Sequence, residues 1–323
     1  MSLVSKYMLN IPEWEYVNLD AMSYSRVSKF MKGGIEAVLT PVEVSKSISF
    51  GSLVDVLITQ PEEKFNDLYH VSEENITFSS KELEIVTKCY ELSEHTTDYK
   101  QLDSLTISSL YDLLPKNYKI TTREKRIAEL LQTKYNYYVT TIGKTIISKD
   151  TFEDAKQCAV LLKNKLKSLV DPTHEIETFY QAKFLQNLDG IDYKCMFDVL
   201  IIDNADKIIY PIDIKTSYRD EKDFLNPYAY FNYYVQAEMY TDILTKVVEN
   251  APELSDYWIH NFQFLVINRV NKKPMFWTHN KHKGKEILPS YKEYAKRLLK
   301  ILELNSNLPE MLNETRCKEI LLK

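Results

Sequence analysis

The stretch Tyr210–Asp220, "YPIDIKTSYRD", places an acid and a lysine two residues apart in a run that is otherwise rich in isoleucine and tyrosine. This composition predicts a β-strand. Alternate side chains of a strand point to opposite faces, so Ile212 and Ile214 face one way while Asp213 and Lys215 face the other. Alternation alone is equally compatible with a charged face that is simply exposed to solvent.

Two further strands are predicted immediately upstream. "EIETFYQAKFLQ" and "IDYKCMFDVLIID" precede "KIIYPIDIKTS", and the turn-forming segments "NLDG" and "NADK" separate the three. Short turns of this kind favour an antiparallel meander. In the second strand, Cys195 and Phe197 belong to the apolar face, while Asp198 projects with Lys194 and Met196. Two neighbouring strands therefore each carry an acid on the less apolar face.

A long helix, roughly Asn226 to Val248, is predicted to follow the third strand. Its core stripe contains Val235 and Met239 at helical spacing. Gln236 and Tyr240 are four residues apart and share a different face. This polar pair is therefore available for a role other than core packing.

The whole chain is predicted to adopt an α+β fold, with a mixed central sheet flanked by helices. From Tyr24 to about Val170 the periodicity is mostly helical, and this region is expected to pack on the sheet. A strand pair, "YWIHNFQFLVIN" and "KPMFWTHN", and a helix from about Leu288 to Leu304 complete it. The expected divisions are a helical region 1–170, a core 171–310 and a tail helix 311–323, which together are expected to form one integrated domain.

Composition excludes several classes of protein. The chain has 323 residues, of which 44% are hydrophobic and 27% charged, with a net charge of -5. No apolar run approaches the roughly 20 residues that span a bilayer, and the first residues do not resemble a secretory signal. An intracellular protein without a membrane passage is expected. The negative charge disfavours indiscriminate coating of nucleic acid.

The cysteines and a lysine-rich segment are less informative about function than the strand and helix motifs. The four cysteines are far apart without a CxxC pair, which favours buried thiols over zinc or disulfides: Cys89, Cys158, Cys195 and Cys317. A lysine-rich segment, "NKKPMFWTHNKHKGK", contains Lys272, Lys273 and Lys281. A solvated loop and a track for phosphates are equally good interpretations of it.

The ordered set Asp198, Asp213, Lys215, Gln236 and Tyr240 resembles the PD-(D/E)xK nuclease superfamily in its RecB-like branch. "FDVLIIDNADKIIYPIDIKTS" is similar to the second and third core strands of these nucleases, and "VQAEMY" to their Gln-Tyr motif. The resemblance covers an ordered series of motifs, whereas an isolated Asp-x-Lys would have little specificity.

Upstream segments narrow the resemblance to the exonuclease VIII type of phage recombination exonuclease. "MSYSRVSKFMK", "SFGSLVDVLITQPEEKFNDLYHV" and "IISKDTFEDAKQCAVLLKNKLKSLV" are similar to that type in order and spacing. Where it has a metal-binding histidine, this chain has Asp55, and where it often has an arginine, this chain has Met196. The upstream acid of the family corresponds to Glu175, or alternatively to Glu177 on the same face.

The resemblance implies a nuclease site with one or two Mg²⁺ or Mn²⁺ ions. Some RecB-like nucleases hold an iron–sulfur cluster with four cysteines, three of them near the C-terminus, but this chain has only Cys317 there, so no cluster is expected. No Walker A sequence occurs, so no use of ATP is expected. The metal ligands that the resemblance implies are Asp55, Asp198, Asp213 and the backbone carbonyl of Ile214. Lys215 would act on the attacking water or the phosphate, Gln236 and Tyr240 would contact the DNA backbone, and Glu175 would be the upstream acid. Further DNA contacts are expected from lysines: Lys194, Lys272, Lys273 and Lys281.

The expected activity is Mg²⁺-dependent exonuclease digestion of linear duplex DNA, which exposes a single strand for recombination or repair. Two alternatives remain open at this point: a single-strand or structure-selective nuclease, and an inactive nuclease fold that binds DNA. The resemblance also implies a homo-oligomer, a single-strand annealing protein as partner and, for a phage protein, the cytoplasm of a bacterial host.

Overall fold

The computed structural model describes residues 3–40, 46–73, 76–219, 223–280 and 290–306. The chain forms two compact units. The first unit combines Met1–Gln60 with Lys156–Lys323, and the second unit is Pro61–Ala155. These divisions fall at other positions than the expected boundary at residue 170, because the first 60 residues belong with the sheet. The expected tail helix 311–323 lies outside the described residues.

The structure has a mixed α/β architecture, as the sequence predicts. Its strands are β1 Tyr69–Ser72, β2 Thr145–Ser148, β3 Ile176–Leu188, β4 Ile191–Asp203, β5 Ile208–Ser217, β6 Trp258–Ile259, β7 Gln263–Asn268 and β8 Pro274–Thr278. Its α-helices, apart from short 3-10 and π-helical turns, are α1 Glu13–Asn18, α2 Tyr24–Leu39, α3 Lys46–Thr59, α4 Glu62–Leu68, α5 Ser80–Leu92, α6 Ser104–Ser109, α7 Ile120–Leu130, α8 Asn136–Thr141, α9 Lys149–Lys167, α10 Leu225–Tyr230, α11 Tyr233–Glu249 and α12 Tyr291–Ser306.

The main sheet of the first unit is mixed, with strand order β3-β4-β5-β7-β8. β3, β4 and β5 form the predicted antiparallel meander. β7 pairs with β5 in parallel and with β8 in antiparallel orientation, and the short β6 also pairs with β5. The parallel pairing of β5 with β7 requires a crossover, which α10 and α11 supply.

Helix α11 covers one face of this sheet. Phe197 of β4 is fully buried in a cluster with Val235 and Met239 of α11 and Leu298 of α12. Burial of such side chains contributes about 1.5–3 kcal/mol each to folding. On the other side, α3 approaches β5 so closely that Gly51 lies against Thr216. The sheet is thus held between helices on both faces.

The predicted helix Asn226–Val248 is in fact two helices. Asn232 separates α10 from α11 with a left-handed backbone, φ 56° and ψ 40°. The carbonyl of Phe231 accepts hydrogen bonds from the hydroxyls of Tyr24, at 2.5 Å, and Ser28, at 3.1 Å, both in α2. These bonds satisfy a carbonyl that would otherwise pair within a continuous helix. Asparagine tolerates the left-handed conformation better than most residues.

The second unit has its own core. β1 and β2 pair in parallel. Ile85, Val86 and Ile127 are almost completely buried together with Tyr135, whose hydroxyl donates to the carbonyl of Thr96 at 2.8 Å. Within the described chain, the cysteines are buried, as predicted: Cys89, Cys158 and Cys195. Cys317 lies outside the described residues.

Candidate functional site

The structure brings Asp213 and Lys215 of β5 together with Gln236 of α11. The ammonium of Lys215 lies 2.6 Å from Oδ2 of Asp213. The side-chain amide of Gln236 donates to Oδ1 of Asp213 at 2.5 Å. Asp213 is only 3% exposed, so this carboxyl group lies inside the protein between a cation and an amide. The expected placement of the two β5 side chains on one face accounts for the first contact.

Asp198 lies where β4 and β5 separate. Their ladder ends at Val199 and Ile212. The Asp198 carboxylate accepts the backbone N–H of Ile214 at 2.7 Å. A side chain therefore replaces the next interstrand bond, and β5 pairs onward with β7 alone. This separation opens the sheet at the two acids.

Asp55 reaches the same place from α3. Gly51, one turn earlier, permits the close approach: a Cβ there would lie 3.2 Å from Oγ1 of Thr216. The amide of Gln181 in β3 lies 3.1 Å from one carboxylate oxygen of Asp55 and 3.4 Å from Thr59 Oγ1. Gln181 has a left-handed φ of 53°, which is strained for a residue with a side chain and often marks a functional site.

A cavity of about 950 Å³ connects these groups. Asp55, Asp198, Ile214 and Lys215 lie on its wall, whereas Asp213 is buried behind them. The remaining lining is largely aromatic and cationic, and includes Phe50, Tyr218, Arg219, Tyr230, Phe231, Tyr233 and Arg269. The cavity thus has acids at the sheet and cations with aromatic rings around them.

The electrostatics of the acids favour a bound cation. Burial, followed by the charges of Asp213 and Asp55, raises the pKa of Asp198 well above its usual range. Burial and then the charge of Asp213 raise the pKa of Asp55 to about 6. Burial by itself would lower the pKa of Lys215, but Asp213 and weaker anionic neighbours raise it overall. The single ammonium does not neutralise three acids, and the charge of Asp213 disfavours ionisation of Asp55 and Asp198.

Two buried acceptor atoms also fit a cation. Asp213 Oδ2 contacts the Lys215 ammonium without hydrogen-bond geometry, and Gln236 Oε1 has no hydrogen-bond partner. Unsatisfied buried acceptors are uncommon and destabilising. Carboxylate and carbonyl oxygens are the ligands that Mg²⁺ and Mn²⁺ prefer. The residues at the cavity are therefore chemically suited to a hard divalent ion.

A tighter group of ligand atoms lies at the other end of β4. Within the described ranges, the His, Cys, Asp and Glu atoms that come within 4.8 Å of one another belong to His174, Asp203 and Asp206. This group could hold a metal ion. Asp203 is already engaged, because His174 Nδ1 is 2.9 Å from its Oδ2 and the Ala205 and Asp206 amides donate to its Oδ1 at 3.0 Å. The three acids of the cavity are spaced more widely than this trio.

The structure does not bring Tyr240 to the cavity. Its ring is 9% exposed and packs edge-on against Phe197, with centroids 5.2 Å apart, and against Phe262. Gln236 and Tyr240 do share a face of α11, but one turn of helix carries Tyr240 away from Asp213 and into the core. Tyr233 contacts the lysine instead, with the Lys215 ammonium 4.8 Å from its ring centroid.

Neither candidate for the upstream acid lies at the cavity. Glu175 is exposed just before β3, and its backbone carbonyl accepts the amide of Asn204 at 3.0 Å. The side chain of Glu177 accepts from the Asn204 amide group at 2.9 Å. The start of β3 pairs with the end of β4 at Asp203, so both glutamates lie about five residues along the sheet from Asp198. Gln181 is the β3 residue that reaches the site.

Lys194 is a structural residue and not an exposed DNA contact. It is 6% exposed, and its ammonium donates to the carbonyls of Tyr16, Val17 and Leu19 at 2.8–2.9 Å. These carbonyls end α1, where a cation is favourable. Burial lowers the pKa of Lys194. Of the other expected lysines, Lys272 contacts Gln157 and Lys273 is exposed, while Lys281 lies outside the described residues.

Several residues at the cavity carry little signal in the sequence. Arg269 follows β7 and lies over the ring of Phe50, 3.7 Å from its centroid. Tyr233 is one of 23 tyrosines, so composition gives no reason to select it. Gln181 stands in a strand with ordinary alternation. Only the strained backbone of Gln181 and the close packing in the structure distinguish these residues.

Comparisons with protein families, curated proteins and solved structures do not establish a family for this chain. No family of proteins and no curated protein matches the chain. Among solved structures, the chain is similar to the crystal structure of a "Putative exonuclease" from Eubacterium rectale, with 14% identity and a TM-score of 0.33 over 71% of this chain and 86% of that chain. In the described part of the chain, no helix has the length and apolarity to cross a membrane.

Proposed function

We propose that the chain is a Mg²⁺-dependent DNA exonuclease that digests linear duplex DNA from an end and exposes a single strand for recombination or repair. The observation that carries this proposal is the Asp213–Lys215 ion pair, fixed by Gln236 and adjacent to Asp198 where the strands separate. The proposal includes DNA as the partner, and a homo-oligomer and an annealing protein as further partners.

Asp198, Asp213 and Asp55, with the carbonyl of Ile214, would hold the ion. Bound Mg²⁺ or Mn²⁺ supplies neutralisation of the scissile phosphate and activation of the attacking water. The protein contributes a buried arrangement of acids, in which burial and, after it, the charge of Asp213 raise the pKa values of Asp55 and Asp198. Asp55 in α3 is a harder ligand than a histidine would be, which favours Mg²⁺ and Mn²⁺ over softer metals.

Lys215 would stabilise negative charge on the phosphate. Asp213 raises the pKa of its ammonium above the ordinary value despite burial, so the side chain remains protonated at neutral pH. A protonated lysine can donate hydrogen bonds to a phosphate oxygen or orient the attacking water, but it cannot accept a proton. Charge stabilisation is therefore the role proposed for Lys215.

The test is digestion of end-labelled linear duplex DNA in Mg²⁺, with a closed circle of the same sequence as a parallel substrate and each terminus blocked in turn. We expect nucleotide release from the linear substrate alone and its loss in EDTA. Asp213→Asn should reduce release at least 100-fold while DNA binding persists. Asp20→Asn is the matched control, because Asp20 is a fully exposed acid in the connection between α1 and α2. This variant should digest the linear DNA normally.

Each negative result of this digestion test excludes a different function. Equal cutting of closed circles would exclude an exonuclease and leave a structure-selective nuclease. Absence of Mg²⁺-dependent cleavage on duplex, single-stranded and flap substrates would exclude a nuclease altogether. An Asp213→Asn variant that performs as well as the unaltered chain would indicate a nuclease fold that acts only by binding.

A further inference from the structure

Three aromatic side chains line the cavity and remain widely exposed. Tyr230 is 71% exposed, Tyr218 54% and Phe231 42%. Single exposed apolar side chains are ordinary, but several in one cavity mark a binding surface. Phe50 and Phe224, in contrast, are buried parts of the wall. The open rings are therefore not needed to close the core of the first unit.

Cations alternate with these rings. The Lys32 ammonium lies 4.7 Å from the centroids of both Tyr230 and Phe231. The Arg269 guanidinium lies 5.1 Å from the centroid of Tyr218, and Arg219 also lines the cavity. Tyr230 retains its 71% exposure with Lys32 in place, so most of its surface is open. Aromatic rings for bases and cations for phosphates are the combination by which proteins bind single-stranded nucleic acid.

The rings lie close to the proposed chemistry. Tyr218 is three residues beyond Lys215, and at about 3.3 Å per extended residue this is about 10 Å along the chain. A strand with one phosphate at Lys215 could therefore place its neighbouring nucleotides on the rings. A cavity of about 950 Å³ is of the size that holds a ligand of a few rings. It cannot enclose a duplex, whose major groove alone is about 12 Å wide.

We propose that Tyr218 and Tyr230 form a stacking subsite for unpaired nucleobases of the strand that is cut at Lys215. The cut strand enters the cavity unpaired, with its bases on the rings and its phosphates near Arg219 and Arg269. This inference rests on the proposed nuclease function, because it assigns the strand at the rings to the substrate of that site. It adds residues and a base-recognition chemistry that the acids and the lysine do not provide.

The experiment measures the affinity of the full chain for labelled single-stranded oligonucleotides by fluorescence anisotropy, with Ca²⁺ in place of Mg²⁺ to prevent hydrolysis. One strand is intact, and the other strands have three abasic residues at one terminus or the other. Abasic residues keep the phosphates and remove the rings that stack. We expect the intact strand to bind about tenfold more tightly than at least one of the abasic strands. This is the size of the affinity loss expected when a base no longer stacks on an aromatic side chain.

Variants identify the residues responsible. Tyr218→Ala and Tyr230→Ala should each remove most of the difference between intact and abasic strands, whereas Tyr218→Phe and Tyr230→Phe should retain it because the ring remains. Both positions are exposed, so these changes should leave folding intact. Trp14→Ala removes an aromatic ring that is 69% exposed on α1, outside the cavity, and is the matched control that should bind like the unaltered chain.

The outcomes separate this inference from the proposed function. Equal affinity for intact and abasic strands, or no affinity for either, overturns the stacking subsite even if the chain digests DNA. A base-dependent affinity that the alanine variants leave unchanged also overturns it. A base-dependent affinity that disappears in the alanine variants, in a chain without Mg²⁺-dependent cleavage, supports the subsite and refutes the nuclease.

Discussion

Gln236 of α11 donates its side-chain amide to Oδ1 of Asp213 in β5 across a distance of 2.5 Å. Both side chains are 3% exposed, and this is a direct polar link between the crossover helix and the central strand. The other oxygen of Asp213 faces Lys215. The orientation of this carboxyl group is therefore set by an amide on one side and an ammonium on the other.

Replacement of Gln236 should destabilise the first unit. Gln236→Ala leaves Asp213 Oδ1 buried without a donor, and a lost partner of this kind costs about 1–3 kcal/mol. Gln236→Glu has the same size but places a second acid against Asp213, so it should be at least as unstable at pH 7.5 and recover in acid. Urea unfolding measures both, with Lys246→Gln at an exposed position of α11 as control. If the Gln236→Ala chain is as stable as the control, the hydrogen bond from Gln236 to Asp213 does not stabilise the first unit.

Lys194 should matter for folding and not for DNA binding. Lys194→Met removes three hydrogen bonds from an ammonium to the end of α1, and we expect about 3 kcal/mol or more of lost stability. DNA affinity, measured by anisotropy at low temperature, should be unchanged. Lys273→Met, at an exposed lysine, should leave stability unchanged. Reduced DNA affinity with normal unfolding of Lys194→Met would restore Lys194 as a DNA contact.

Stability of the metal-free chain should depend on the ionisation of Asp55. Burial and Asp213 raise its pKa from 3.8 to about 6, so the folded chain binds this proton more tightly than the unfolded chain. The contribution of protonated Asp55 to the free energy of unfolding is therefore fully present below about pH 4 and is lost as the pH rises through about 6. This shift in the pKa of Asp55 corresponds to a change of at most about 3 kcal/mol in the free energy of unfolding.

Urea unfolding in EDTA between pH 4 and pH 7 measures this dependence. Asp55→Asn should flatten the decline relative to the unaltered chain, because asparagine does not ionise. Mg²⁺ should stabilise the unaltered chain more at pH 7.5 than at pH 5, since its ligands must lose their protons. Identical pH profiles for the two chains would show that Asp55 ionises normally.

Gly51 should be required for the position of Asp55. Gly51→Ala places a Cβ 3.2 Å from Thr216 Oγ1, which is closer than ordinary van der Waals contact, so the Thr216 side chain or α3 must shift by a few tenths of an ångström. We expect nuclease activity to fall more than tenfold, with about 1–3 kcal/mol of lost stability. Thr216→Ala removes the opposing atom, so the double variant should regain much of the activity. A double variant no better than Gly51→Ala would show that the contact with Thr216 is not responsible.

Strand alternation predicted the arrangement of β5 because both neighbours of Asp213 are apolar and buried. Ile212 is fully buried and Ile214 is 9% exposed, so the two isoleucines fix the face on which Asp213 and Lys215 lie. Helical spacing predicted that Gln236 and Tyr240 share one face of α11, although α10 lies between β5 and this helix. These are local relationships, and periodicity determines them.

Other positions depend on contacts that periodicity does not report. The run "AYFNYYVQ" is compatible with one helix, and the break at Asn232 requires the hydroxyls of Tyr24 and Ser28 from a distant helix. Lys194 was expected among DNA contacts because nothing in its strand indicates that α1 ends above it. The motif predicts that Glu175 lies near Asp198. The pairing of Ile176 with Asp203 instead places Glu175 beside the end of β4, away from Asp198. In each case a tertiary partner decides the role of the residue.

The first unit is assembled from two separate parts of the chain, with Pro61–Ala155 between them. During synthesis, Asp55 emerges from the ribosome well before Asp198, Asp213 and Gln236, and the intervening unit has a core with which to fold in that interval. A nascent chain that stops before α11 has therefore made Asp55, Asp198 and Asp213 but lacks Gln236, the residue that orients Asp213. The order of synthesis thus delays assembly of the site until α11 has been made.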